Sequence, residues 1–87
     1  MNRNDILAEA ARLTNGERDA IYGDPYTNHK RIAALFSVVL EHEVTPSQAA
    51  LLMAMVKVAR LIQTPDHADS FIDGAAYFAI AGEIATH

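Results

Sequence analysis

The stretch TPSQAALLMAMVKVARLIQ, residues 45–63, constrains the fold of this chain more than any other part of it. Thr45 is a favourable N-cap residue, and Pro46 suits the first position of a helix. Gln48 stands three residues after the cap, where a capping box places Glu or Gln. The pattern therefore predicts a helix that begins directly after Thr45.

Between residues 49 and 62 this helix is apolar on nearly every face, with Lys57 and Arg60 as its charged exceptions. A helix that is apolar all round must be covered by other protein. Two cations on such a helix need partners, because burying an unpaired charge is costly. The partners of Lys57 and Arg60 are therefore the main question that the sequence raises.

The chain has 87 residues, which corresponds to a single domain spanning residues 1–87. A domain of this size buries only about 60–65% of the surface of its unfolded chain. Apolar residues nevertheless make up 51% of the sequence. We expect this apolar surplus to be covered in a homo-oligomer.

Charge and residue usage exclude several classes of function. A net charge of −4 argues against binding to a nucleic-acid polymer, which normally needs a basic surface. There is no cysteine, and no two of the four histidines have the helical spacing of a metal site, so we expect no metal and no cofactor. No apolar run is long enough for a membrane span and no signal segment is visible, which predicts a cytoplasmic protein with no membrane partner.

The rest of the chain also has helical patterns. A first helix is predicted to start at Asn2 or Asn4 and to end at Asn15-Gly16, and residues 17–22 are predicted to add a turn of helix before Gly23. A second long helix is predicted from Thr27 or Asn28 and extends into Glu41 and Glu43. A last helix is predicted from about residue 68 to 86. The expected fold is all-α, a small domain of four helices.

The short break at residues 64–66 predicts that the last two helices form an antiparallel hairpin. Arg60 then lies level with Asp69 or Asp73, and Lys57 with Asp73 or Tyr77. One interpretation is a structural ion-pair network that fixes the register of the hairpin. The other is that the same groups line a pocket, where the cations bind phosphate or carboxylate and Asp73 orients one of them.

Three motifs occur in an order that resembles a family of small phage and prophage proteins of unknown function. They are R-D-A-I-Y-G-D-P-x-x-N (residues 18–28), K-V-A-R-L (57–61) and D-S-F-I-D-G-A-A-Y (69–77). The resemblance extends from Ile6 to Glu83 and implies an all-α fold. It also implies a cluster of candidate ligand-binding residues, namely Arg18, Tyr22, Gly23, Asn28, Lys57, Arg60, Asp73 and Tyr77.

The chain is also distantly similar to the all-α nucleotide pyrophosphatases of the MazG type, which hold Mg²⁺ with acidic pairs on two helices. The central helix departs from that pattern, because it carries Lys57 and Arg60 where the acids are wanted. Asp69, Asp73 and Asp66 are the acids that remain on the facing side. Two carboxylates shared with two cations make a poor Mg²⁺ site.

The function predicted from the sequence is non-enzymatic, with no catalytic residue: capture of a small phosphate-bearing nucleotide by a phage-type protein in the host cytoplasm. By analogy with phage proteins that sequester second messengers, the specific candidate is a cyclic nucleotide signal of host antiviral defence. The predicted contacts are phosphate binding by Arg18, Lys57 and Arg60, stacking by Tyr22 and Tyr77, and a hydrogen bond from Asn28. Two alternatives stay open: a metal-dependent MazG-like pyrophosphohydrolase that uses Asp69 and Asp73, and a helical protein-interaction module.

Overall fold

The computed structural model describes residues 1–15 and 24–87, and within these ranges the chain is helical and contains no strand. The four helices are α1 (Arg3–Leu13), α2 (Pro25–Leu40), α3 (Pro46–Gln63) and α4 (Ala68–Thr86). The all-α, four-helix prediction is thus confirmed for the described part of the chain. The helical turn predicted for residues 17–22 lies outside it.

Two helices start as their sequences predict. In α3 the Thr45 hydroxyl accepts the backbone N–H of Gln48 at 3.1 Å, and the Gln48 side chain accepts the N–H of Thr45 at 3.0 Å. Asn2 and Asp5 make the same reciprocal pair at the start of α1. Each capping box satisfies two backbone N–H groups that a helix leaves without partners.

Helix α2 begins earlier than predicted, at Pro25 rather than at Thr27 or Asn28. The Asp24 carboxylate caps it, accepting the backbone N–H of Thr27 at 3.0 Å and its hydroxyl at 2.6 Å. Pro25 occupies the first helical position, where its missing N–H costs nothing. At the other end Glu41 adopts a left-handed conformation (φ 52°), so the helix stops at Leu40 and the predicted extension into Glu41 and Glu43 is wrong.

Helix α4 contacts each of the other three helices, and its most extensive packing is against α3. The Ser47 hydroxyl at the start of α3 donates to the carbonyl oxygen of Ala81, near the end of α4, at 3.0 Å. Further along α3, Lys57 lies 3.5 Å from Asp73 in the first half of α4. Ser37 secures the connection from α2 to α3, since its hydroxyl accepts the N–H of Val44 at 2.8 Å.

The described core is built from small side chains. Seven of its eight buried apolar residues are alanines, and Ile72 is the eighth. The larger apolar side chains of α3 are exposed instead, including Leu52 (39%) and Val56 (55%). The described part of the chain therefore leaves much of α3 uncovered, although the sequence predicts that this helix is covered by other protein. None of the helices described is both long and apolar enough to cross a membrane.

Candidate functional site

A cleft of about 290 Å³ opens where the end of α1 and the start of α2 meet the middle of α3 and α4. Its walls combine apolar side chains with six polar ones. The lining residues are Leu13, Thr14, Pro25, Asn28, His29, Lys57, Asp73, Ala76, Tyr77 and Ile80. All four helices or their ends thus contribute to one concave site.

Among the described residues, the charged part of the cleft is one ion pair between α3 and α4. The Lys57 Nζ lies 3.5 Å from the Asp73 Oδ2, and the two side chains are 29% and 37% exposed. An ammonium group has three donors, so one acidic neighbour at this distance leaves Lys57 with the capacity to bind a further acceptor. The pair is both a helix–helix contact and a cation at the edge of a cleft.

His29 is the buried polar residue of the cleft, with 2% of its surface exposed. Its Nδ1 lies 2.7 Å from the carbonyl oxygen of Pro25. A carbonyl oxygen only accepts, so Nδ1 carries the hydrogen and, in the neutral ring, Nε2 is an acceptor. That Nε2 is buried and has no hydrogen-bond partner among the described residues. Buried polar atoms without a hydrogen-bond partner are uncommon in folded proteins, so the buried Nε2 requires an explanation.

Asn28 and Tyr77 add two further polar groups with unused hydrogen-bonding capacity. Both residues are half-buried and line the cleft. Neither the Asn28 amide nor the Tyr77 hydroxyl has a hydrogen-bond partner in the part of the chain that the structure describes. The Tyr77 ring meets the His29 ring edge to face, with centroids 6.0 Å apart and planes at 74°. This contact joins the buried imidazole to the accessible side of the cleft.

The start of α2, which carries Asn28 and His29, is held by the cap at Asp24. The Thr27 hydroxyl, and secondarily the Thr27 backbone N–H, lower the pKa of the Asp24 carboxyl by hydrogen bonding to its ionised form. The cap is therefore strongest when Asp24 is charged.

The structure brings together four of the residues that the sequence singles out: Asn28, Lys57, Asp73 and Tyr77. Arg60 is exposed, does not line the cleft and makes no ion pair with the described residues, so the predicted match to Asp69 or Asp73 is not seen. The remaining predicted residues, Arg18, Tyr22 and Gly23, lie outside the described ranges.

His29 is the cleft residue that the sequence analysis missed. The sequence predicts a role for a histidine only as a metal ligand. A histidine with no second histidine three or four residues away on the same helix does not indicate a metal site. The feature that could have revealed it is its position, directly after Asn28 and four residues after Pro25, the first residue of α2. At that spacing its Nδ1 reaches the Pro25 carbonyl.

Acidic residues do not gather in the described ranges as they would in a metal centre. No group of three His, Asp or Glu side chains there is placed to hold a metal ion. Asp69 is exposed and lies outside the cleft, and Asp73 faces Lys57. The cleft suits a ligand that offers an anionic group to Lys57, hydrogen-bond donors to His29 and Asp73, and a flat surface to Tyr77.

The fold and cleft define the class of the protein, a small all-helical domain with one polar, ligand-sized site among its described residues. Residues 5–85 match the model of a family described as a domain of unknown function (DUF6378), and the chain belongs to this family. The resemblance to a phage family of unknown function is thereby confirmed, together with its extent along the chain.

Two curated relatives are phage proteins. The chain is 50% identical to the Gene 55 protein of Mycobacterium phage D29 over 72 residues, which cover 83% of this chain and 48% of that protein. It is 38% identical to the Gene 55 protein of Mycobacterium phage L5 over 73 residues, or 83% and 47% of the two chains. The chain thus spans about half the length of these relatives. No solved structure matches it.

Proposed function

We propose that this phage-family domain, as a homo-oligomer built on an antiparallel α3–α4 hairpin, captures a small phosphate-bearing nucleotide without converting it. One observation carries the proposal. A cleft of nucleotide-compatible size contains a lysine beside three polar groups, on Asn28, His29 and Tyr77, that have no partner in the described part of the chain.

The phosphate is assigned to Lys57. The chain as a whole is acidic, with a net charge of −4, so an anion needs a local cation rather than a general positive field. Lys57 is 29% exposed, which leaves its ammonium accessible from the cleft. Asp73 holds the ammonium in position, as a carboxylate neighbour does for a flexible lysine side chain. In this proposal Arg18 provides a second phosphate contact.

The base is assigned to the side of the cleft formed by α2 and Tyr77. An amide such as Asn28 can donate and accept at once, which matches the edge of a nucleobase. The His29 Nε2 accepts a hydrogen from the ligand, and the Tyr77 ring packs against the base, with Tyr22 as a second proposed stacking partner. The volume of 290 Å³ is near the lower limit of about 300 Å³ for small-molecule sites, which favours one small nucleotide over a polymer.

Within this proposal, capture is favoured over hydrolysis by the arrangement of acids. A MazG-like reaction needs several carboxylates around one metal site. Asp69 does not line the cleft and Asp73 is paired with Lys57, so the described cleft has a single, partly neutralised carboxylate. A cyclic nucleotide of host antiviral defence, met in the host cytoplasm, is the proposed ligand.

The test is titration calorimetry with a panel of mononucleotides and cyclic nucleotides, followed by chromatography of the ligand released on heating. Intact released ligand supports capture, and converted product supports the hydrolase alternative. We expect Lys57→Ala to weaken binding roughly 10- to 150-fold, since a hydrogen bond to a charged group is worth about 1.5–3 kcal/mol. Lys30→Ala is the matched control, because Lys30 is exposed and lies outside the cleft.

Equal losses in Lys57→Ala and Lys30→Ala would show a general charge effect and contradict the assignment to the cleft. Absence of uptake of every nucleotide would overturn the proposed function. Arg60→Ala tests the remaining sequence-predicted contact in the same titration, and its exposed position predicts a smaller loss than that of Lys57→Ala.

A further inference from the structure

The exposed side of α3 is apolar at most positions from Leu51 to Ile62. Its four most regularly spaced exposed apolar residues are Leu51 (39%), Met55 (54%), Val58 (45%) and Ile62 (80%). Their spacing of four, three and four residues is that of the seam of a coiled coil. We call these four residues the α3 seam.

The surroundings of the α3 seam are also suited to a protein neighbour rather than to water. Leu52 and Val56 are exposed beside the seam, and Arg60 is the single charged residue among the exposed positions of α3. An open, mostly apolar groove of about 500 Å³ lies next to its first half and is lined partly by Leu51 and Met55. A monomeric protein rarely exposes a continuous apolar surface of this length.

The accessible surface of the chain is larger than the surface expected for a monomer of its mass. A monomer of 9.5 kDa is expected to expose about 5,000 Å² from the general relation between mass and surface. This chain exposes 6150 Å². The excess of roughly 1,100 Å² exceeds the roughly 800 Å² that each partner buries in a standard protein–protein interface.

We infer that the α3 seam is the surface on which a second copy of this chain docks. A seam with coiled-coil spacing is complementary to itself, because the knobs of one helix fit the holes of an identical helix. The absence of charge along it removes the like-charge repulsion that two copies of an acidic chain would otherwise meet. The inference locates the contact surface of the proposed oligomer, and it does not depend on nucleotide binding.

The test is light scattering after size-exclusion chromatography, on the unmodified chain and on Ile62→Glu, over a roughly hundredfold range of protein concentration. We expect the unmodified chain to have at least twice its monomer mass of 9.5 kDa. Ile62→Glu is expected to raise the concentration at which the oligomer dissociates by at least about tenfold, because docking would bury a glutamate carboxylate of each copy in an apolar contact. Leu7→Glu is the matched control on α1, where Leu7 is 61% exposed, and it is expected to keep the oligomer.

A monomeric unmodified chain overturns the inference, as does an Ile62→Glu variant that dissociates at the same concentration as the unmodified chain. Equal dissociation of Leu7→Glu and Ile62→Glu overturns the assignment to α3. Loss of the helical circular dichroism signal would show that Ile62→Glu is unfolded. In that case the test is the melting temperature of the unmodified chain, measured over the same range of protein concentration. A melting temperature that rises with protein concentration supports docking of a second copy, and one that does not change overturns it.

Discussion

At the scale of single residues, Lys57 and His29 differ in whether the described chain provides a partner for their polar atoms. Lys57 has an acidic neighbour in Asp73, and the pair is partly exposed, so its contribution to stability is about 0–1 kcal/mol. Loss of Lys57 should therefore leave the fold intact, and a binding defect in Lys57→Ala can be assigned to the cleft. His29 is buried, and its Nε2 has no hydrogen-bond partner among residues 1–15 and 24–87, which costs stability without any evident structural gain.

The unpaired nitrogen of His29 gives a prediction about ligand binding. His29→Leu replaces the ring by an apolar side chain of similar size and removes the acceptor at Nε2. We expect nucleotide affinity to fall about 3- to 10-fold, the value of one ordinary hydrogen bond. Calorimetry with the nucleotide that the unmodified chain captures measures this loss.

His87→Leu is the control for His29→Leu, because His87 lies at the exposed end of the chain, outside the cleft. Circular dichroism of both variants separates a binding defect from unfolding. Unchanged affinity in a folded His29→Leu variant would show that the ligand does not use Nε2, and the unpaired nitrogen would then be a structural cost alone.

At the scale of secondary-structure elements, the starts of α1, α2 and α3 show how a local capping signal sets a helix boundary. The cap at Asp24 determines where α2 begins and thereby places Asn28 and His29 in its first turns. Helix α3 has two different sides. One side, which includes the buried Ala50 and Ala54, packs against the rest of the chain, and the side that carries the α3 seam is exposed.

The Asp24 cap predicts a dependence of stability on pH. The pKa of Asp24 is lowered in the folded chain from its ordinary value of 3.8, first by the Thr27 hydroxyl and then by the Thr27 N–H. A carboxyl group with a lowered folded pKa contributes stability above its unfolded pKa and loses it as the pH falls through the folded value. The melting temperature should therefore fall as the pH drops below about 4.

Asp24→Asn isolates this effect, since asparagine is an equally good N-cap but does not titrate. The variant should melt at nearly the same temperature as the unmodified chain at neutral pH, and its melting temperature should fall less below pH 4. Identical acid profiles for the two chains would assign the pH dependence to other carboxyl groups.

At the scale of the whole molecule, the proposed ligand site and the proposed docking surface lie on different sides of α3. Five residues separate Lys57 from Ile62, which places them about 140° apart around the helix axis. Lys57 lines the cleft with Asp73, and Ile62 does not line it. In these two proposals, one side of α3 faces the ligand and another side faces the second copy.

This arrangement predicts that ligand capture survives the loss of the oligomer. Ile62→Glu, once shown to be folded and dissociated, should bind the captured nucleotide with an affinity within about threefold of that of the unmodified chain. Calorimetry at a concentration where the variant is monomeric checks this. A much weaker affinity would mean that a second copy contributes a residue to the cleft.

Much of the helical architecture was predictable from local sequence signals. The boxes at Asn2 and at Thr45 and the break at Thr64 are interactions between residues at most four positions apart, so they can be recognised in the sequence. The start of α2 was misplaced by two or three residues. Asp24 and Pro25 make an N-cap followed by the first helical position, a local signal that precedes Thr27 and Asn28 in the sequence.

The sequence also determined that α3 needs cover and that Lys57 needs a partner, because both follow from the cost of exposing apolar surface and of burying charge. Only the tertiary structure decided that Asp73 is the partner, that Arg60 lies outside the cleft, and that His29 is buried beside Tyr77. These outcomes depend on how the helices rotate and pack against one another, and small changes in rotation exchange a buried position for an exposed one. Local patterns along the chain do not determine that rotation.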